Sequence, residues 1–140
     1  MLKPLIAVSA LLASTAAVAT PSTDLKAVID AEWNWVLDNS PVWASSLGDH
    51  RGDGKLDDNS LAAADRQARE AKAFIARLDA IPDSGLDGTE RTDKAILRRL
   101  LDEQVQGATF GERMMLFTTY AGWHQNFAGL ADNSPFNSAG

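Results

Sequence analysis

Two histidines, His50 and His124, lie 74 positions apart, and the 140 residues include no cysteine. Thiolate chemistry, disulfides and a lipidated cysteine are therefore excluded. A tight zinc site needs three or four nitrogen, sulfur or carboxylate ligands brought together by spacing. Neither histidine has a carboxylate at metal-site helical spacing, and no His-Glu-x-x-His run, phosphate-cradling glycine loop or Gly-x-Ser-x-Gly elbow occurs. The densest polar cluster is Asp49-His50-Arg51-Gly52-Asp53-Gly54. It opens like a calcium loop, with Asp at positions 1 and 5 and Gly at 6. Position 3, however, is the cation Arg51, and position 12 is Ser60 instead of a bidentate Glu. Arg51-Gly52-Asp53 is also a tripeptide read by adhesion receptors, but a run so short is common by chance. The plainer reading is a solvated turn held by internal Asp–Arg hydrogen bonds, with His50 and His124 as hydrogen-bonding loop residues. Glu32 falls on the apolar face of a predicted helix, where an internal ion pair with an arginine is expected ahead of acid catalysis. No catalytic, cofactor or metal site is predicted within these residues.

The elements that must position this cluster read as helices. Lys3, the apolar run Leu5–Val18 and the small residues of Ala17-Val18-Ala19 form the three-part pattern of a secretory signal. Cleavage is expected after Ala19. The run is too short and too rich in Ala, Ser and Thr for a membrane span, which needs about 20 apolar residues. Residues 1–19 are thus expected to be a signal peptide and 20–140 the exported chain, periplasmic or secreted from a bacterial envelope, with no membrane association after cleavage. A composition of 45% hydrophobic and 23% charged residues is that of a globular chain, not a disordered one. A net charge of −6 without a basic run argues against nucleic-acid binding.

A first helix is predicted over Asp24–Asp38, with Leu25, Val28, Ile29, Glu32, Trp35 and Val36 on one face and Trp33 and Leu37 widening it. A short helix follows over Pro41–Leu47, stopped by Gly48, with Trp43, Ala44 and Leu47 inward. After a polar loop over Asp49–Asn59, Ser60 caps a helix to about Ala80 whose seam is Ala64, Ala68, Ala71, Ile75 and Leu78. Pro82, Gly85 and Gly88 make a turn. Thr89 caps a last helix to about Gln106, along which Leu97, Leu101, Val105 and Ala108 recur. These last two helices are expected to form an antiparallel hairpin. Phe74, Ile81, Ile96 and Leu100 point into adjacent sectors that a hairpin alone leaves bare. The fold class is therefore all-α. Beyond Gly107 the pattern weakens, and Ser134-Pro135 opens a helix start six residues before Gly140. The expectation is a sequence cut short, whose partner is the remainder of its own chain.

Trp33, Trp35, Ser40-Pro41, Trp43-Ala44, Leu47-Gly48-Asp49-His50-Arg51, Asp53, Leu56 and Ser60 resemble the N-terminal signature of the bacterial domain-of-unknown-function 885 family. Arg98, Leu100, Leu101, Glu103 and Gly122-Trp123-His124 fit the same pattern. The Leu-Gly-Asp-His-Arg run carries most of the specificity. At Gly52, where an aromatic residue is usual, the departure implies a looser loop. The resemblance implies a longer, mostly helical protein similar to zinc-dependent peptidases, whose His-Glu metal signature lies downstream of this sequence. Zinc is thereby implied for full-length relatives and no cofactor for these 140 residues. The chain is then an N-terminal helical segment that walls a substrate channel and is inactive alone, with a peptide as substrate. Asp49, His50 and Arg51, and the Trp123, His124 and Gln125 run, are expected to face the cleft. The rival reading is a non-catalytic helical binding or scaffold module of the cell envelope.

Overall fold

A computed structural model of the protein describes residues 20–111, together with Met114 and Gly129. The proposed signal peptide with Ala19, the Trp123–Gln125 run and Ser134-Pro135 lie outside the described residues. Among the described residues there are four α-helices: α1 (Pro21–Asn39), α2 (Pro41–Ser46), α3 (Leu61–Asp79) and α4 (Gly88–Thr109). Single 3-10 turns occur at His50–Gly52 and Asp83–Gly85. No strand occurs among the described residues, so the protein is all-α.

Each long helix starts where a side chain relieves its unpaired N–H groups. Thr20 and Thr23 form a reciprocal capping box ahead of α1, three residues earlier than the apolar periodicity indicated. The Ser60 hydroxyl accepts from the Ala63 N–H at the start of α3. At α4 the cap is Asp87, not Thr89: its carboxylate accepts from the Glu90 N–H while Glu90 accepts from the Asp87 N–H. An ionised cap also complements the helix dipole, which a threonine two residues further in does not.

Helices α3 and α4 form the expected antiparallel hairpin, pinned near its turn by Arg98 Nε donating to Asp79 at 2.7 Å and by Lys94 Nζ donating to the Ile81 carbonyl at 2.6 Å. Helix α1 lies across the pair. Leu25 and Val28 join Ala71, Phe74, Leu78, Ile81, Leu86 and Leu101 in one buried cluster. Leu78 and Leu101 are the largest fully enclosed side chains, each worth about 1.5–3 kcal/mol in apolar transfer. Phe74 and Ile81, expected in bare sectors, are in this core because α1 covers them: the Trp35 ring sits 5.5 Å from that of Phe74, and Trp35 Nε1 donates to Glu70 at 2.7 Å. Ile96 and Leu100 remain exposed, as expected.

Three side chains expected inward are not. Trp33, Trp43 and Leu47 are 47%, 43% and 53% exposed, whereas their neighbours Leu37 and Ala44 are buried. Helix α2 turns only its Pro41–Ala44 side against the molecule, so Trp43 and Leu47 project away.

Candidate functional site

The segment between α2 and α3 is tied down at every turn. Gly48 takes a φ of +85°, the left-handed conformation a glycine accepts without strain, and thereby ends α2. Asp49 then accepts from the Arg51 N–H at 3.0 Å and from Arg51 Nε at 3.0 and 2.9 Å. The far end of the same guanidinium donates to Asn34 at 2.9 Å and to Asp38 at 3.3 Å, both on α1. The internal Asp–Arg bonding expected of this loop is present, and it also reaches α1. The Arg51 hydrogen bonds hold the Asp49 carboxyl below the usual carboxylate range, and Asp49, then Asp38, push the guanidinium up. An Asp49 so engaged is not a free calcium ligand.

Gly52 corrects another expectation. Far from loosening the loop, it is buried against Pro41: a Cβ added there would lie 2.5 Å from the Pro41 Cβ and 2.9 Å from its Cα. The absent side chain is what lets the 3-10 turn close onto the start of α2. The Val42 N–H donating to Asp57 at 3.2 Å holds the far side of the segment.

Sequence spacing gave no hint of a three-residue relay. Ser45 Oγ donates to Asp53 at 2.6 Å, and the other Asp53 oxygen lies 2.8 Å from His50 Nδ1. The Ser45 hydroxyl, then His50, hold the Asp53 carboxyl below its ordinary range. An ionised carboxylate only accepts, so neutral His50 must donate its Nδ1–H and keep Nε2 as the free acceptor. This arrangement suits an imidazole that takes a proton or contacts a polar ligand through Nε2. Beside it, Trp33, Leu37, Leu47, Gly48 and Asp49 line a depression of about 450 Å³. Its one tryptophan, Trp33, meets the Trp43 ring edge to face with ring centres 5.4 Å apart. Asp49, His50 and Arg51 are thus brought together, with His50 and Asp49 bordering an open hollow of mixed polar and apolar lining. Trp123, His124 and Gln125 lie outside the described residues.

Among the described residues no group of three or more His, Asp or Glu side chains is placed to hold a metal ion. One oriented imidazole does not make the three-ligand set a catalytic zinc requires, so these residues do not fit the metal that the resemblance implies.

The fold defines an all-α assembly in which a short helix and a pinned loop present one histidine beside an aromatic hollow. The model of the family described as bacterial protein of unknown function (DUF885) matches residues 41–140, and the chain belongs to that family. The match begins at Pro41, so α1, which supplies Trp33, Asn34 and Asp38 to the site, lies outside it. Comparison with curated proteins and with solved structures finds no match.

Proposed function

We propose that this chain is the N-terminal helical portion of an exported bacterial metallopeptidase-like protein and forms one wall of its substrate channel. The observation that carries the reading is the hollow of Trp33, Leu37 and Leu47 beside the oriented His50, with the Trp43 ring against Trp33. Exposed aromatic and apolar side chains next to a polar group with a fixed acceptor suit an extended peptide. The side chains pack on the rings, while backbone N–H groups seek acceptors. Asp49, His50 and Arg51 hold and orient substrate in this reading, and zinc and the reacting groups come from beyond Gly140. The outer face of α4, with Ile96 and Leu100 exposed, is then where the remainder of the protein packs.

The test is to follow the reading frame beyond the Gly140 codon and to express what it encodes. The expected product carries a His-Glu pair on a helix and cleaves unstructured peptides until a chelator is added. In it, Trp43→Ala raises KM with little change in kcat, the signature of a lost binding wall. A stop codon directly after Gly140, or a longer product that cleaves nothing, sinks the peptidase reading in favour of a non-catalytic binding module.

A further inference from the structure

Negative charge is concentrated around the His50 hollow. Residues 20–60, which supply α1, α2 and the pinned loop, carry eight carboxylates against three Lys or Arg. Residues 61–111, which supply α3 and α4, carry nine against eight. Among the first eight is Glu32, for which the sequence leads one to expect an arginine partner; it makes no ion pair with a described residue. The excess persists at the hollow itself. Asp38 and Asp49 share the one guanidinium of Arg51, at 3.3 and 2.9 Å, so one negative charge of the three groups is left over. Asp53 is bonded to the Ser45 hydroxyl and to His50, and while His50 is neutral neither offsets its charge. The Arg51 bonds to Asp49, and those of Ser45 and His50 to Asp53, hold both carboxyls below the ordinary range, so both are ionised at neutral pH.

The lining suits a cation as well as attracting one. Trp33 is partly exposed and lines the hollow, and an indole face is the best aromatic seat for an ammonium or guanidinium. Leu37 and Leu47 are apolar walls against which the methylene stem of a long cationic side chain packs. His50 Nε2, left as the acceptor by the Asp53 bond, can take an N–H from such a side chain. The Asp49 oxygens already accept from Arg51, so Asp49 acts through its field and not as a direct partner. An uncharged apolar side chain would use the walls but leave Nε2 and the surplus charge unanswered, and an anion would be repelled. For a metal ion, no group of three ligands is in place among the described residues. We propose that the hollow selects a lysine or arginine side chain of the bound peptide, an inference that rests on reading this face as a peptide wall. The Trp33 ring is its seat, His50 Nε2 its acceptor, and Asp38, Asp49 and Asp53 supply the attracting charge.

The experiment titrates the full chain calorimetrically with four tripeptides, N-acetyl-Ala-X-Ala-amide with X as arginine, lysine, norleucine or glutamate. The arginine and lysine peptides should bind at least ~5-fold tighter than the norleucine one, as an exposed cation–π contact with carboxylates nearby allows. The glutamate peptide should bind weakest. The preference should shrink as salt is raised from about 0.02 to about 0.5 M, over which the screening length falls from about 20 to about 4 Å. Trp33→Leu keeps an apolar wall and should cut the advantage of arginine over norleucine ~3-fold. Asp38→Asn should weaken the arginine peptide and leave the norleucine one unchanged. Asp93→Asn is the charge control, because it lies one turn along α4 from the Ser22–Glu90 contact, at the other end of α1. That end is about 24 Å from Asp38 along the helix. All variants are first checked for native helicity by circular dichroism. Norleucine binding as tight as arginine, a preference indifferent to salt in the unaltered chain, or an Asp93→Asn effect equal to that of Asp38→Asn overturns the proposal and leaves the peptide wall standing. If none of the four peptides binds, the proposal and the peptide wall fall together.

Discussion

At the scale of single residues, the carboxylates set how the protein responds to acid. Asp49, Asp53, Asp58 and Asp79 are all held below the ordinary range, by Arg51, by Ser45 and His50, by Ser60 and by Arg98 respectively. A carboxyl with a depressed folded value binds its proton more readily in the unfolded chain. Its contribution is therefore fully present above the unfolded value of about 3.9 and is lost as the pH falls through the folded one. Asp49→Asn should lower the thermal midpoint at pH 7, and the gap to the parent should close below about pH 4. Melts at both ends of that range check it, and a gap that persists at pH 2 would show that the Asp49–Arg51 pair is not its source. Glu32 runs the other way. Raised by burial, it favours the fold while protonated, and that contribution is lost as the pH rises through its folded value.

At the scale of elements, the core and the bare faces call for opposite responses to truncation. Leu78→Ala empties a fully enclosed site between α3, α4 and α1 and should cost about 2–5 kcal/mol. Ile96→Ala, one face around α4, should stay within about 0.5 kcal/mol in this chain. Urea titrations of both variants decide it, and similar losses would mean that the Ile96 face is covered. Gly52→Ala drives a methyl into Pro41 and should cost about 1–3 kcal/mol as an overpacked contact. Retention of the parent midpoint by that variant would refute the close packing of the 3-10 turn on α2. The helices themselves were legible in the sequence, because Ala68, Ala71 and Leu78 recur at helical spacing and Ser60 and Pro41 mark starts. What periodicity does not carry is which apolar face meets a neighbour. Trp33 and Trp43 have the same pattern as buried residues, yet α2 buries only Pro41 and Ala44, and the two rings meet each other while staying partly exposed. The Ser45–Asp53–His50 relay was equally invisible. Its residues sit on a helix end and a loop, where no regular spacing fixes what faces what.

At the scale of the whole molecule, the balance between enclosed and bare apolar surface separates a self-sufficient module from a part of something larger. Nine large hydrophobic side chains among the described residues are exposed, among them Trp33, Trp43 and Leu47 on one side and Ile96 and Leu100 on another. Where such side chains adjoin, as Trp33 and Trp43 do, apolar surface ordinarily marks an interface. The purified chain should be helical by circular dichroism, bind hydrophobic dyes or self-associate, and melt over a broad range. A sharp, reversible, monomeric melt without dye binding would instead support an independent module. Export has its own check: intact mass of the protein from a bacterial envelope should place Thr20 first. A full-length species confined to the cytoplasm would refute a cleaved signal.

The placement of α1 also bears on the order of assembly. Besides its nearby contacts with Trp43 and Arg51, it has partners far along the chain: Trp35 donates to Glu70, and Ser22 to Glu90. The α3–α4 hairpin, by contrast, closes over a short turn, at little cost in loop entropy. Local pairs form fast and distant ones slowly, so the hairpin is expected to form ahead of the docking of α1, an order that φ-values at Leu78 and Trp35 would check. Until α3 and α4 have both been made, the core-facing side of the first helix, with Leu25, Val28 and Trp35, has only part of its cover.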